Sequence, residues 1–140
     1  MKNKIIWLAA LTLLVVHFIA CDEDKDEFTA GNYHYVGSNL DGQEVTEGEL
    51  HIVVNDSVIE GEKNIRIVSM NAQDVQDTGT GLIHGRISSE GMIEIYLMMS
   101  QGPYMLIRGK FDNGKLRGNR YHAIEIAEIS IGTFTAEKMH

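Results

Sequence analysis

The 140-residue chain has one cysteine, one proline and one tryptophan, and its 12 lysines and arginines are outnumbered by 20 aspartates and glutamates. One cysteine makes no intramolecular disulfide and supplies no cysteine-rich zinc site. A formal charge of -8 argues against nucleic acid as a partner, because phosphate recognition needs a basic face. A single proline and 44% hydrophobic residues argue against a disordered chain, and the length suits one domain. The longest apolar run, Ile5 to Ala20, is interrupted only by Thr12 and His17. As a helix it would reach about 24 Å, short of a hydrocarbon core of about 30 Å, so a permanent transmembrane helix is the weaker reading. Enzyme signatures are missing too: there is no Gly-x-Ser-x-Gly, no phosphate loop and no His-Glu-x-x-His. Neither catalysis nor a cofactor is therefore expected.

What is present divides the chain sharply. Lys2 and Lys4 precede the apolar run, and Ala20-Cys21 ends it, the layout of a secretory signal. Phe18-Ile19-Ala20-Cys21 resembles the lipobox of bacterial lipoproteins, with Phe18 standing where leucine is usual. The resemblance implies cleavage after residue 20, diacylglycerol on the Cys21 sulfur and acylation of its new amino group. Two or three chains anchor stably where one is marginal. The alternative is an ordinary secreted protein that happens to carry a cysteine there.

Directly after Cys21 comes Asp22-Glu23-Asp24-Lys25-Asp26-Glu27, five acids and one base. Such a run cannot bury itself, so residues 21–28 are expected to be a solvated tether. The run also resembles the acidic export signal of surface lipoproteins in the Bacteroidota, which implies an outer-membrane, cell-surface address. In enterobacterial lipoproteins an aspartate after the cysteine implies inner-membrane retention instead, so the membrane stays open here.

From residue 29 to 140 the pattern is all-β. Apolar and polar residues alternate, and turn signals recur every eight to fourteen residues, which predicts eight strands: 31–37, 46–54, 57–69, 80–88, 92–99, 103–112, 115–126 and 129–138. Three hairpins set the register. Asn113-Gly114 pairs Phe111 with Leu116, Lys110 with Arg117 and Gly109 with Gly118, the facing glycines implying a kink or close backbone approach. A Ser89-Glu90-Gly91 loop pairs Ile87 with Ile93, Ile83 with Leu97, Arg86 with Glu94 and His84 with Tyr96. An Asn55-Asp56 loop pairs Ile52 with Ile59, His51 with Glu60 and Leu50 with Gly61, but sets Glu49 against Glu62, a like-charge pair. A phase change places a bulge or short turn near Ala127-Glu128. Eight hairpin-linked strands most simply make an antiparallel up-and-down barrel, whose closure removes exposed edges.

The domain resembles the calycins, the small barrels that include lipocalins and avidins. Gly31-Asn32-Tyr33 stands where lipocalins carry Gly-x-Trp, and Arg120 where a late-strand arginine packs on that ring. Trp7 leaves with the signal, so the mature chain lacks the tryptophan walls with which avidins hold their ligand. The resemblance therefore implies architecture and no particular ligand.

Two sets of side chains are candidates for function. The inward list is Ile59, Ile65, Ile67, Ile83, Ile87, Ile93, Ile95, Leu97, Met99, Met105, Ile107, Phe111, Leu116 and Ile124, with three polar residues among them, Lys63, Arg120 and His122. A charge inside a small barrel costs several kcal/mol unless paired or hydrated. Either the three line a pocket for an anionic amphiphile, Arg120 gripping its carboxylate, or Arg120 plugs the barrel end on backbone carbonyls while Lys63 snorkels and His122 is satisfied in the core. The second set faces outward: Arg108, Lys110, Lys115 and Arg117, with Tyr104 and Tyr121, a basic patch suited to acidic polysaccharide, a partner protein or lipid headgroups. No metal site is expected, because His34, His51, His84 and His122 sit on different strands and neighbouring Met98 and Met99 point to opposite faces. Asp56-Ser57-Val58 resembles the Asp-Ser/Thr-aliphatic O-glycosylation motif of the Bacteroidota, making Ser57 a candidate acceptor. The expected role is a lipid-anchored, non-catalytic interaction module or accessory subunit of an envelope complex, with a binder of a small apolar or anionic ligand as the alternative.

Overall fold

The computed structural model describes residues 27–69, 78–97 and 104–140. The proposed signal, Cys21, most of the acidic tether, Met98 and Met99 lie outside the described residues. Eight antiparallel strands follow one another: β1 (Gly31–Ser38), β2 (Glu44–Asn55), β3 (Val58–Ile67), β4 (Gly79–Ile87), β5 (Ile93–Leu97), β6 (Tyr104–Asp112), β7 (Lys115–Ile124) and β8 (Ala127–Lys138). Each pairs with the next, and β8 pairs back onto β1, so the sheet is a closed up-and-down barrel. Closure leaves every backbone row paired and no edge to template aggregation.

Period-two alternation builds the wall, since successive side chains point to opposite faces. The inner face collects Tyr33, Tyr35, Leu50, Ile52, Ile59, Ile83, Ile95, Leu97, Ile107, Leu116, Phe134 and Ala136, all almost wholly buried. A barrel this narrow bends its strands sharply, and glycines on the inner face make that possible. A Cβ on Gly109 would collide with the Arg117 carbonyl, and one on Gly118 with that of Arg108. The facing pair Gly109–Gly118 is thus the close backbone approach that its sequence position implied.

Two hairpins match the expected register: Phe111 faces Leu116 across Asn113-Gly114, and Arg86 faces Glu94 across the β4–β5 loop. The β2–β3 hairpin differs. Its loop is Asp56-Ser57, so Val54 meets Ile59, Ile52 meets Gly61, and Glu62 faces His51 instead of Glu49. Asp56 adopts φ 55°, a left-handed conformation that aspartate tolerates at the first position of a tight hairpin turn. The shift of two residues keeps both faces and removes the like-charge pair. At the β7–β8 corner the turn is Glu125-Ile126, since Ile124 pairs with Ala127, two residues earlier than expected. The phase change comes from a bulge that leaves Ile131 extra, because Arg120 faces Gly132 and Tyr121 faces Ser130. Ile67 and Ile124, expected inside, are 53% and 43% exposed, because each is the last residue of its strand and projects past the wall.

The antiparallel order gives the barrel two distinct ends. The proximal end holds the 56–57, 88–92 and 113–114 connections and both chain termini of the domain; the distal end holds the 39–43 and 125–126 connections. Phe28 closes the proximal end, its ring 5.2 Å from Tyr33 and 5.5 Å from Phe111. The Tyr33 hydroxyl donates to the Thr29 carbonyl at 2.6 Å, and Lys138 Nζ donates to the Thr29 hydroxyl at 2.6 Å. The chain is therefore pinned to the barrel at the residue where the proposed tether ends. Phe28→Ala is expected to remove about 3 kcal/mol of stability through the lost burial and the cavity left behind. Val58→Ala, at a half-exposed outer position, should cost no more than about 0.5 kcal/mol. Urea midpoints at constant slope measure both.

Candidate functional site

Lys63 on β3 and Arg120 on β7 come from opposite walls, and both are buried, at 3% and 1% exposure. Lys63 Nζ donates to the Thr78 carbonyl at 3.0 Å, and an Arg120 terminal nitrogen donates to the Ser38 carbonyl at 2.9 Å. Around Gly37 the guanidinium gathers with the Tyr35 and Thr46 hydroxyls; a Cβ there would meet all three. Arg120 thus contributes to closing the distal end through a backbone carbonyl. The ring neighbours of Tyr33 are Phe28 and Phe111, and the aromatic residue beside the guanidinium is Tyr35. His122, one inward step further along β7, is half-buried, and its Nε2 is buried with no hydrogen-bond partner among the described residues.

The outward set is less uniform than its sequence implied. Arg108 donates to Glu94 at 2.6 Å and, through both terminal nitrogens, to Glu128 at 2.9 Å, while lying 5.2 Å above the Tyr121 ring. Arg86 completes the row with a 2.8 Å bridge to the far side of Glu94. Lys115 is bridged to Glu137 at 2.9 Å. That leaves Lys110 and Arg117, directly opposite each other, both exposed, and with no ion pair among the described residues. Tyr104 is 47% exposed and sits edge-on to Tyr96, which stacks on His84. Leu106, on the outer face between Tyr96 and Tyr121, is fully covered.

The outer network sets local electrostatics. Burial alone would raise the Glu94 carboxyl, but hydrogen bonds and charge from Arg108 and Arg86 hold it below the usual carboxylate range. Arg108 is held above its ordinary value, first by its hydrogen bond to Glu128, against burial and with help from Glu94. The exposed Glu137 carboxylate is lowered by the hydrogen bond from Lys115. Glu128 was the residue sequence reasoning missed. With the β7–β8 turn assigned two residues too late, it fell in a turn instead of opposite Ala123 on the outer wall.

Ser57 is exposed on its turn, and its carbonyl accepts from the Ile87 amide at 2.8 Å. Beside it, a cleft of about 610 Å³ opens at the proximal mouth. Phe28, Ile93 and Phe111 form its floor, and Glu27, Asp56, Ser57 and Ser89 stand among its polar lining. Among the described residues no three histidine, cysteine or acidic side chains gather as metal ligands. No protein-family profile and no curated protein matches the chain.

A pH prediction follows from Glu94. Its native pKa is depressed, so its contribution is present above the unfolded value of roughly 4.3 and is lost as pH falls through the native value. Glu94→Gln should cost about 1–2 kcal/mol at pH 7. The gap between parent and variant should close below roughly pH 4, as the parent's own carboxyl protonates. Chemical denaturation at both pH values measures it.

Proposed function

We propose that this chain is a lipid-anchored barrel of the bacterial outer membrane, displayed at the cell surface, acting as a non-catalytic interaction module or accessory envelope subunit. In this reading residues 1–20 are a removed signal, Cys21 carries the lipid, residues 21–28 are the tether, and residues 29–140 are the working domain. The observation that carries the non-catalytic reading is the interior. Its centre is occupied by the protein's own aliphatic and aromatic side chains, and Arg120 is committed to the Ser38 carbonyl. An eight-stranded barrel has just enough interior to be filled in this way, which leaves the outer wall as the recognition surface.

The pinned entry of the chain at Phe28 supports the tethered geometry. The seven residue steps from Cys21 to Phe28 span at most about 25 Å, keeping the proximal end near the headgroups and the distal end outward. The exposure of Ser57 on its turn supports its use as an O-glycan acceptor. One observation favours the second reading, a small anionic amphiphile held inside. The His122 Nε2 is a buried polar atom of the kind a ligand or water would satisfy.

Two measurements test the reading. Cys21→Ser should abolish incorporation of a palmitate analogue and leave the precursor uncut; labelling that persists overturns the anchor. A fluorescent fatty acid should gain no emission on mixing with the full-length protein. Uptake at one per chain that is lost in Arg120→Met would overturn the filled barrel in favour of the internal ligand.

A further inference from the structure

We propose that Lys110 and Arg117 form the anion-binding centre of a glycan-recognition surface on the β6–β7 wall, and that its ligand is a carboxylated polysaccharide. The inference rests on the interaction-module reading and names the partner of its outer wall. Like charges directly opposite each other across an antiparallel pair repel, so the fold gains nothing by placing them there. Four other cations on the outer wall are used structurally: Arg66 on Glu47, Arg86 and Arg108 on Glu94, and Lys115 on Glu137. Lys110 and Arg117 have no such partner among the described residues. On the same wall Asp112 stands one outward step along β6 from Lys110 and accepts from the Asn113 side-chain amide, and Glu137 senses the charge of Arg117 but bonds Lys115.

The surroundings select the class of ligand. Arg117 faces Thr135 on β8, and Asn119, one outward step along, faces Thr133. All four are exposed, so two cations are bordered by an amide and two hydroxyls. None of the large hydrophobic residues exposed elsewhere lies in this patch. Protein interfaces rely on a buried apolar or aromatic centre, which this patch lacks. Lys110 and Arg117 stand on the side of the barrel three residues from the proximal 113–114 turn, so anionic headgroups are the competing ligand that the test must separate from a glycan. A polyhydroxylated chain with regularly spaced carboxylates matches both the paired cations and the hydrogen-bonding border.

The test uses full-length protein in detergent, with polygalacturonate as the probe and polyglutamate and phosphatidylglycerol vesicles as competing polyanions. The parent should bind polygalacturonate in preference to both. Lys110→Glu sets a carboxylate opposite Arg117, so it should weaken binding at least about tenfold while raising the melting temperature. Lys110→Gln should keep most of that loss, whereas Lys115→Gln, which removes the same single charge from a paired lysine, should change binding less than about threefold. Absence of polygalacturonate binding, equal loss in Lys115→Gln, or preference for polyglutamate or vesicles overturns the glycan inference. If instead an envelope protein is captured equally by parent and Lys110→Glu, the glycan inference fails and the interaction-module reading stands. Uptake of the fatty-acid probe into the barrel defeats that reading separately.

Discussion

Closure of β8 onto β1, with Tyr33 opposite Lys138 through to Ser38 opposite Thr133, is the constraint from which the rest of the structure follows. An eight-stranded ring can close only if its strands coil tightly and the inner face is kept small. Inward positions therefore alternate bulky aliphatics with glycines whose missing side chains let carbonyls of the neighbouring strand come close. Two bulges absorb the remaining mismatch. Val45 is extra between Glu44 and Thr46 opposite the end of β1 and is buried, and Ile131 is extra on β8, where it packs against the core.

The same constraint sorts the charges. Inside, Lys63 and Arg120 are buried and donate to the carbonyls of Thr78 and Ser38. Outside, Glu94 is shared by Arg86 and Arg108, and Arg108 extends the row to Glu128, tying β4, β5, β6 and β8 together along the outer wall. Cations that serve the wall are thereby taken out of play for partners. A basic face read from sequence as one patch is, in three dimensions, a neutralised row with a separate cationic pair beside it.

Function on this architecture divides by end and by face. The proximal end receives the chain and is plugged by Phe28 against Tyr33 and Phe111. The distal rim exposes Leu40, Ile126 and Ile129, and the interior between the two ends is aliphatic and aromatic. In the proposed reading, a barrel filled by its own side chains and held by one terminus presents its wall. The proposed lipid anchor and the proposed glycan surface are consistent with such a display, with attachment below and recognition at the side.

Alternation and turn chemistry made the fold legible in the sequence. Asn113-Gly114 fixes a two-residue hairpin by itself, and the Ser89-Glu90-Gly91 loop does nearly as much, because few backbone conformations satisfy those residues. The inner and outer faces of most strands follow, since a one-residue slip would invert every side chain. What the alternation left undetermined were shifts of two, which preserve the faces; hence Ile52 meets Gly61, and the corner turn is Glu125-Ile126. Bulges at Val45 and Ile131 were hidden for a related reason, as their cause is the mismatch of a closed ring and not any local preference. The sequence by itself determined an all-β meander, its hairpins and the inward placing of Lys63 and Arg120. Only the tertiary structure decided which cations are spent on which acids, because Glu94, Arg108 and Glu128 meet across strands distant in sequence, and only closure brings them to one wall.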